Sequence, residues 1–421
     1  MLQDPQQIKI LLIGLLIGST AFDILLSWLN LRSHTLELPN RVKADMDATS
    51  YARSKPYHEK NFRFGLLRKL TTTVLMVLLL ATGAFGELDA WLRTWIESPI
   101  WLALAFFGVL SFGGDLLGIP FQYYQTFKIE AEYGFNKMTP KTFWLDKIKG
   151  WVLGAVLGGL IVGLLIWLVD LMGPDFWWIF WAVVSVFMLL VNVFYTSWLL
   201  PIFNKLTPLE NGELREKIES YCQSVDFPLE NLFVMDGSKR SSKANAFFSG
   251  MGKRKKVVLY DTLIEKHPDS ELVAILAHEV GHYKRKHIVS GMVLGILQTG
   301  LMLFILSKFA FSETLSAALG GEFGIHLNLL AFGMLYSPIS TAIAIGMNLF
   351  SRKNEYEADE YAATTYEAEP LATALIKLHG DNLANLTPHP LHVFLHYSHP
   401  PLLQRLGALD QVEASRKAED S

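Results

Sequence analysis

The chain has 421 residues, of which 51% are hydrophobic and 18% charged, against roughly 25% charged in an ordinary soluble domain. With 37 basic and 40 acidic residues the net charge is −3, so no basic field exists to hold a polyanion, and nucleic acid is disfavoured as a partner. A single cysteine, Cys222, rules out a disulfide scaffold, and a mean hydropathy of +0.27 is too high for a disordered polymer. The deficit of charge points to lipid.

A hydrocarbon core about 30 Å thick takes roughly 20 mostly apolar residues per helix. Seven such runs, at about 8–29, 64–85, 100–123, 151–172, 176–200, 288–311 and 327–350, predict a mainly α, polytopic membrane protein. The first run is too long for a signal peptide, and no small-x-small cleavage site follows it. Loops 30–63 and 125–150 are rich in Lys and Arg, whereas the alternate loops are nearly free of them. Because positive charge is retained inside, the N-terminus is expected outside. The polar segment 201–287 and the C-terminal tail then share the cytoplasmic face. Asp23, Asp115, Asn192 and Gln298 lie within spans; such groups either bond between helices or line a hydrated cavity. The chain divides into spans 1–200, a polar segment 201–287, spans 288–350 and a C-terminal segment 351–421.

Within 201–287 the sequence predicts a helix over 210–224, strands over 232–236 and 256–260, and a helix over 270–287 with Asp269 as its N-cap. On that last helix lies His278-Glu279-Val280-Gly281-His282, the H-E-x-x-H pattern. Residues four apart share a helix face, so both imidazoles can hold one Zn²⁺, while Glu279 faces a water beside the metal and can act as its base. A third ligand must come from elsewhere. Glu355 and Asp359 are four apart just past the last span; Glu355 would complete a His₂Glu site and Asp359 would orient a ligand histidine, His278. Glu357 and Glu360 are the rivals, but neither has an acid four residues later.

Together with these motifs, the stretches 129–139 (IEAEYGFNKMT), 204–214 (NKLTPLENGEL), 240–250 (RSSKANAFFSG) and 397–406 (YSHPPLLQRL) make the chain resemble the type I CAAX prenyl proteases over nearly its full length. The resemblance implies seven helices around a hydrated chamber and a cytoplasmic-side gluzincin-type zinc protease domain with one Zn²⁺ per chain. It implies that 244–248 pairs with the substrate backbone, with Asn245 and Ala246 as substrate-binding residues, and that His399 donates to the scissile carbonyl, with Arg405 structural. The partners implied are a peptide or lipidated-protein substrate and membrane lipid, the family substrate being the C-terminal tripeptide of isoprenylated CAAX proteins. One departure stands out: where the family commonly has a histidine ahead of the Asn-Ala pair, this chain has Lys243. Its lean loops suggest a bacterial homologue in the inner membrane, or the endoplasmic reticulum if the source is eukaryotic. A bacterium without prenylated proteins would point instead to membrane-protein quality control. The rival from another class is a channel or scaffold with a vestigial zinc site, which the intact Glu279 disfavours.

Overall fold

The computed structural model describes residues 4–229, 231–249 and 256–419. The chain is mainly helical, and local signals set where the long helices begin. Asp4 caps Pro5–Arg32 by accepting from the Gln6 N–H, and Thr139 caps Pro140–Met172 by accepting from Thr142, each with proline at the first helical position.

Among the described residues, five helical stretches are long and apolar enough to cross a membrane: Pro5–Arg32, Ala48–Thr82, Pro99–Glu130, Pro140–Phe203 and His287–Phe309. A sixth arises if Ile325–Leu335 and Ser337–Thr365, bent by 52°, count as one. The seven expected spans are therefore not matched one for one. Two of them fall within Pro140–Phe203, a 64-residue stretch that is broken only by one tight turn, Gly173–Asp175, and whose two halves pack on each other. The expected runs 151–172 and 176–200 divide at that turn, where Pro174 and Asp175 interrupt the apolar pattern.

Burial within the spans is uneven. Ile8, Leu12, Leu80, Leu102 and Phe106 form one cluster with Phe85, Leu92, Leu315 and Leu327, while Leu165, Val169, Phe176, Phe180, Leu303 and Leu306 form another. All of these adjoin the connections at one end of the bundle. There Gly86 donates its N–H to Leu319, and a Cβ on Gly86 would lie 2.1 Å from the Gly320 backbone, so only glycine fits that approach. The buried Asp89 accepts from His326 at 2.7 Å and from Arg93 at 2.8 Å, which satisfies its charge. Over their most apolar windows the spans bury only 6% to 22% of their residues, so most of their apolar surface is turned outward, as lipid contact requires. Between them Asp115 is held by Lys147 at 2.7 Å and by Trp151 at 2.8 Å, beside a cavity of about 580 Å³ also lined by Arg68, Gln122 and Gln125.

The polar segment packs as a second core. Four strands, β1 (Leu206–Pro208), β2 (Asn231–Met235), β3 (Ala246–Ser249) and β4 (Lys256–Tyr260), form a sheet of order β1-β2-β4-β3. β2 and β4 are parallel, with Leu232 opposite Val257; β3 runs antiparallel to β4, with Ala246 opposite Leu259. β1 carries no apolar alternation and was not expected. Helices Glu213–Ser224, Asp269–Lys284 and Ala368–Asp381 close over the sheet around Ile218, Cys222, Leu259, Leu272, Leu276 and Leu375. Each such leucine contributes about 2 kcal/mol by leaving water. Leu38 and Val42, from the connection after the first span, and Tyr51, at the start of Ala48–Thr82, join this core and tie it to the membrane part.

Candidate active site

Two helices make the site. Asp269–Lys284 carries His278, Glu279 and His282; its cap is Pro268, with Asp269 in the first turn rather than at the N-cap. It ends three residues short of the expected boundary, because Lys286 adopts φ 60° and the next helix starts at His287. Ser337–Thr365 runs on past the apolar segment as one helix and presents Glu355 and Asp359 a turn apart, both buried.

His278, His282 and Glu355 bring ligand atoms within 4.8 Å of one another. His278 Nε2 and His282 Nε2 are 3.2 Å apart, and Glu355 lies 3.3 Å from His282 Nε2 and 3.6 Å from His278 Nε2. Donors bound at about 2.0 to 2.1 Å around a tetrahedral ion stand about 3.3 Å from each other, so these separations fit a metal. Glu355 Oε2 is also buried without a hydrogen-bond partner. A cation between the two imidazoles and this carboxylate would relieve both features.

Around the three donors lies a layer of oriented partners. Asp359 Oδ1 is 2.8 Å from His278 Nδ1, which aims the opposite ring nitrogen at the cluster. Arg405, expected to be structural, is buried and grips Asp359 through Nε at 2.7 Å and Nη2 at 2.6 Å, while its Nη1 stands 3.5 Å from Glu355. Its only sequence signal is membership in the 397–406 stretch. Glu357 does not reach the cluster: it meets His287, which in turn faces His282. His399 Nε2 lies 3.4 Å from Glu355, with 64% of its side chain exposed. Glu279 is half-buried. Burial pushes its carboxyl above the ordinary glutamate range, against the opposing pull of His278 and His282.

β3 is an edge strand of the sheet and touches the helix that carries the two histidines. Asn245, just before β3, is exposed; its backbone oxygen accepts from Tyr260 and its side-chain oxygen from the Ala246 N–H. Its NH₂ group meets the Tyr260 hydroxyl and keeps one N–H to offer a peptide. Lys243 reaches Glu130 at 3.1 Å, lies 4.4 Å from the Phe135 ring centre and bonds Tyr57 at 3.4 Å. It therefore ties the lead-in to β3 to residues that flank the membrane spans. Arg240 does the same through a two-pronged bond to Asp146.

A metal-fitting cluster with a carboxylate beside it, carried on helices continuous with a membrane bundle, defines a multi-pass membrane metalloprotease. Residues 27–205 match the family model described as CAAX prenyl protease N-terminal, five membrane helices, and residues 208–413 match Peptidase family M48. The chain belongs to the CAAX prenyl protease family of M48 peptidases. It is 32% identical to CAAX prenyl protease 1 of Saccharomyces cerevisiae, across 97% of this chain and 96% of the relative. It is 30% identical to the CAAX prenyl protease 1 homolog of Homo sapiens, across 90% of each. The crystal structure of S. mikatae Ste24p is similar with a TM-score of 0.90 at 31% identity, covering 96% of this chain and 99% of that one.

Proposed function

We propose that the metal is zinc, held by His278, His282 and Glu355, and that the protein removes the C-terminal tripeptide of isoprenylated CAAX proteins. The observation that carries this reading is the convergence of those three donors, at tetrahedral spacing, beside Glu279. Zinc, when bound, supplies a Lewis acid that polarises the scissile carbonyl and lowers the pKa of a water to about 7. Glu279 takes the proton of the attacking water and hands it to the leaving amine nitrogen. Asp359 keeps the His278 proton on Nδ1, and Arg405 holds Asp359 in place. His399, whose ring nitrogens meet Ser398 and Glu355, donates to the carbonyl oxygen by turning away from one of them. The substrate chain adds to β3 as a further strand, so its backbone is read at Ala246 while its side chains vary, and the Asn245 NH₂ gives one more bond.

Asp115, Lys147 and Gln122, polar groups beside a cavity, support a hydrated chamber between the spans. Lys and Arg in loops 30–63 and 125–150 support a cytoplasmic site. The relatives named above are eukaryotic, which favours the endoplasmic reticulum over a bacterial inner membrane. The test is cleavage of a farnesylated CAAX peptide beside its unprenylated twin, with and without a chelator. Chelator-sensitive cleavage of both peptides at equal rates would remove the prenyl requirement and leave a general membrane protease. Cleavage that ignores the chelator would remove the metal.

A further inference from the structure

We propose that His287 and Glu357 are positioning residues that set the proton and the ring orientation of the metal ligand His282. The inference rests on the metalloprotease reading of the site. His282 has Nε2 turned toward His278 and Glu355, and its Nδ1 lies 3.0 Å from His287 Nδ1. His287 is 8% exposed, and its Nε2 lies 3.0 Å from Glu357 Oε2. Lys353 stands 3.6 Å from the other oxygen of Glu357.

The geometry allows one arrangement of protons. A histidine that offers Nε2 to a cation carries its proton on Nδ1. His282 therefore donates, and His287 Nδ1 must accept. The proton of His287 then sits on Nε2, where the Glu357 carboxylate receives it. Orientation is thus transmitted from Glu357 through two rings. His278 has the shorter version, with Asp359 bonded directly.

The backbone is shaped to make this contact. On an unbroken helix, residues five apart point about 140° away from each other. The left-handed Lys286 breaks the helix between His282 and His287, and the two rings meet edge to face, 5.1 Å between centres at 75°. A Cβ on Gly281 would stand 3.0 Å from the Ala358 Cα, so glycine there lets the Glu357 helix come close enough to receive the second ring.

The test uses the full-length protein in detergent, stripped of metal and titrated with Zn²⁺ against a chromophoric chelator, with Co²⁺ absorption as a second reading and the melting temperature of the stripped protein as a folding control. His287→Ala should weaken zinc binding about 10- to 100-fold and alter the Co²⁺ bands. His287→Gln, which keeps an acceptor for His282, should recover most of that loss. Glu357→Ala should weaken binding with an unchanged Lys353→Ala control. Wild-type affinity in His287→Ala overturns the proposal, as does a His287→Gln protein that folds normally yet binds no better than His287→Ala. If the wild-type protein itself binds no zinc, the metalloprotease reading fails and takes this inference with it; the other two outcomes remove the relay alone.

Discussion

Gly281 and Ala358 meet where the histidine-bearing helix crosses the helix of Glu355: a Cβ on Gly281 would stand 3.0 Å from the Ala358 Cα and 3.1 Å from its carbonyl oxygen. Two small residues at that crossing let the backbones approach until side chains on opposite helices share one ion. In an open helix, glycine to alanine gains about 1 kcal/mol. Here Gly281→Ala should destabilise instead, and Gly281→Val or Ala358→Leu should lower metal content at least tenfold. Metal analysis beside the melting temperature checks this. Wild-type metal content in Gly281→Val would show that the spacing of the helices is not what assembles the cluster.

Glu279→Gln should abolish hydrolysis while zinc stays bound, because the base is lost and all three donors remain. Glu355→Ala should lose metal and rate together, since only two protein donors are left. The pair is read by metal content and peptide turnover on the same preparations. Retained turnover in Glu279→Gln would remove its role as base.

Asp359→Asn should fall between these extremes, at about 10- to 100-fold in metal affinity or rate. Arg405→Ala leaves Asp359 buried with His278 as its remaining partner, and breaking a buried ion pair costs about 3 to 5 kcal/mol. Thermal unfolding should register it directly. Arg405→Lys should not rescue, because one ammonium cannot make the two parallel bonds that the guanidinium makes.

Burial pushes the Cys222 thiol up to about 12. The thiolate is the reactive form, so near pH 8 almost none is present in the folded protein. Thiol reagents should leave native Cys222 untouched and modify it once the chain is denatured, as followed by mass spectrometry.

That inertness makes topology measurable without replacing Cys222. Ser238 and Glu97 are both exposed. With the protein expressed in a bacterial inner membrane, Glu97→Cys should react in intact cells with a membrane-impermeant thiol reagent, and Ser238→Cys should react only after permeabilisation. Labelling of Ser238→Cys from outside would place the site on the opposite face of the membrane.

Residues close together in the chain carried most of what the sequence by itself determined. The histidine pair four apart, Glu279 between them, Glu355 four before Asp359 and the long apolar runs are all local patterns, because a helix turns local spacing into a shared face. The strands 231–235 and 256–260 and the helix 269–284 were legible for the same reason, to within a few residues. The tertiary structure alone decided which distant groups meet. Arg405 reaches Asp359 across 46 residues, Glu357 turns from the metal cluster to His287 across 70, and Lys243 finds Glu130 across 113. Spacing along a helix is fixed by covalent geometry and hydrogen bonds inside one segment. Contact between segments depends on packing details such as Gly281 against Ala358, and no periodicity in the chain records those.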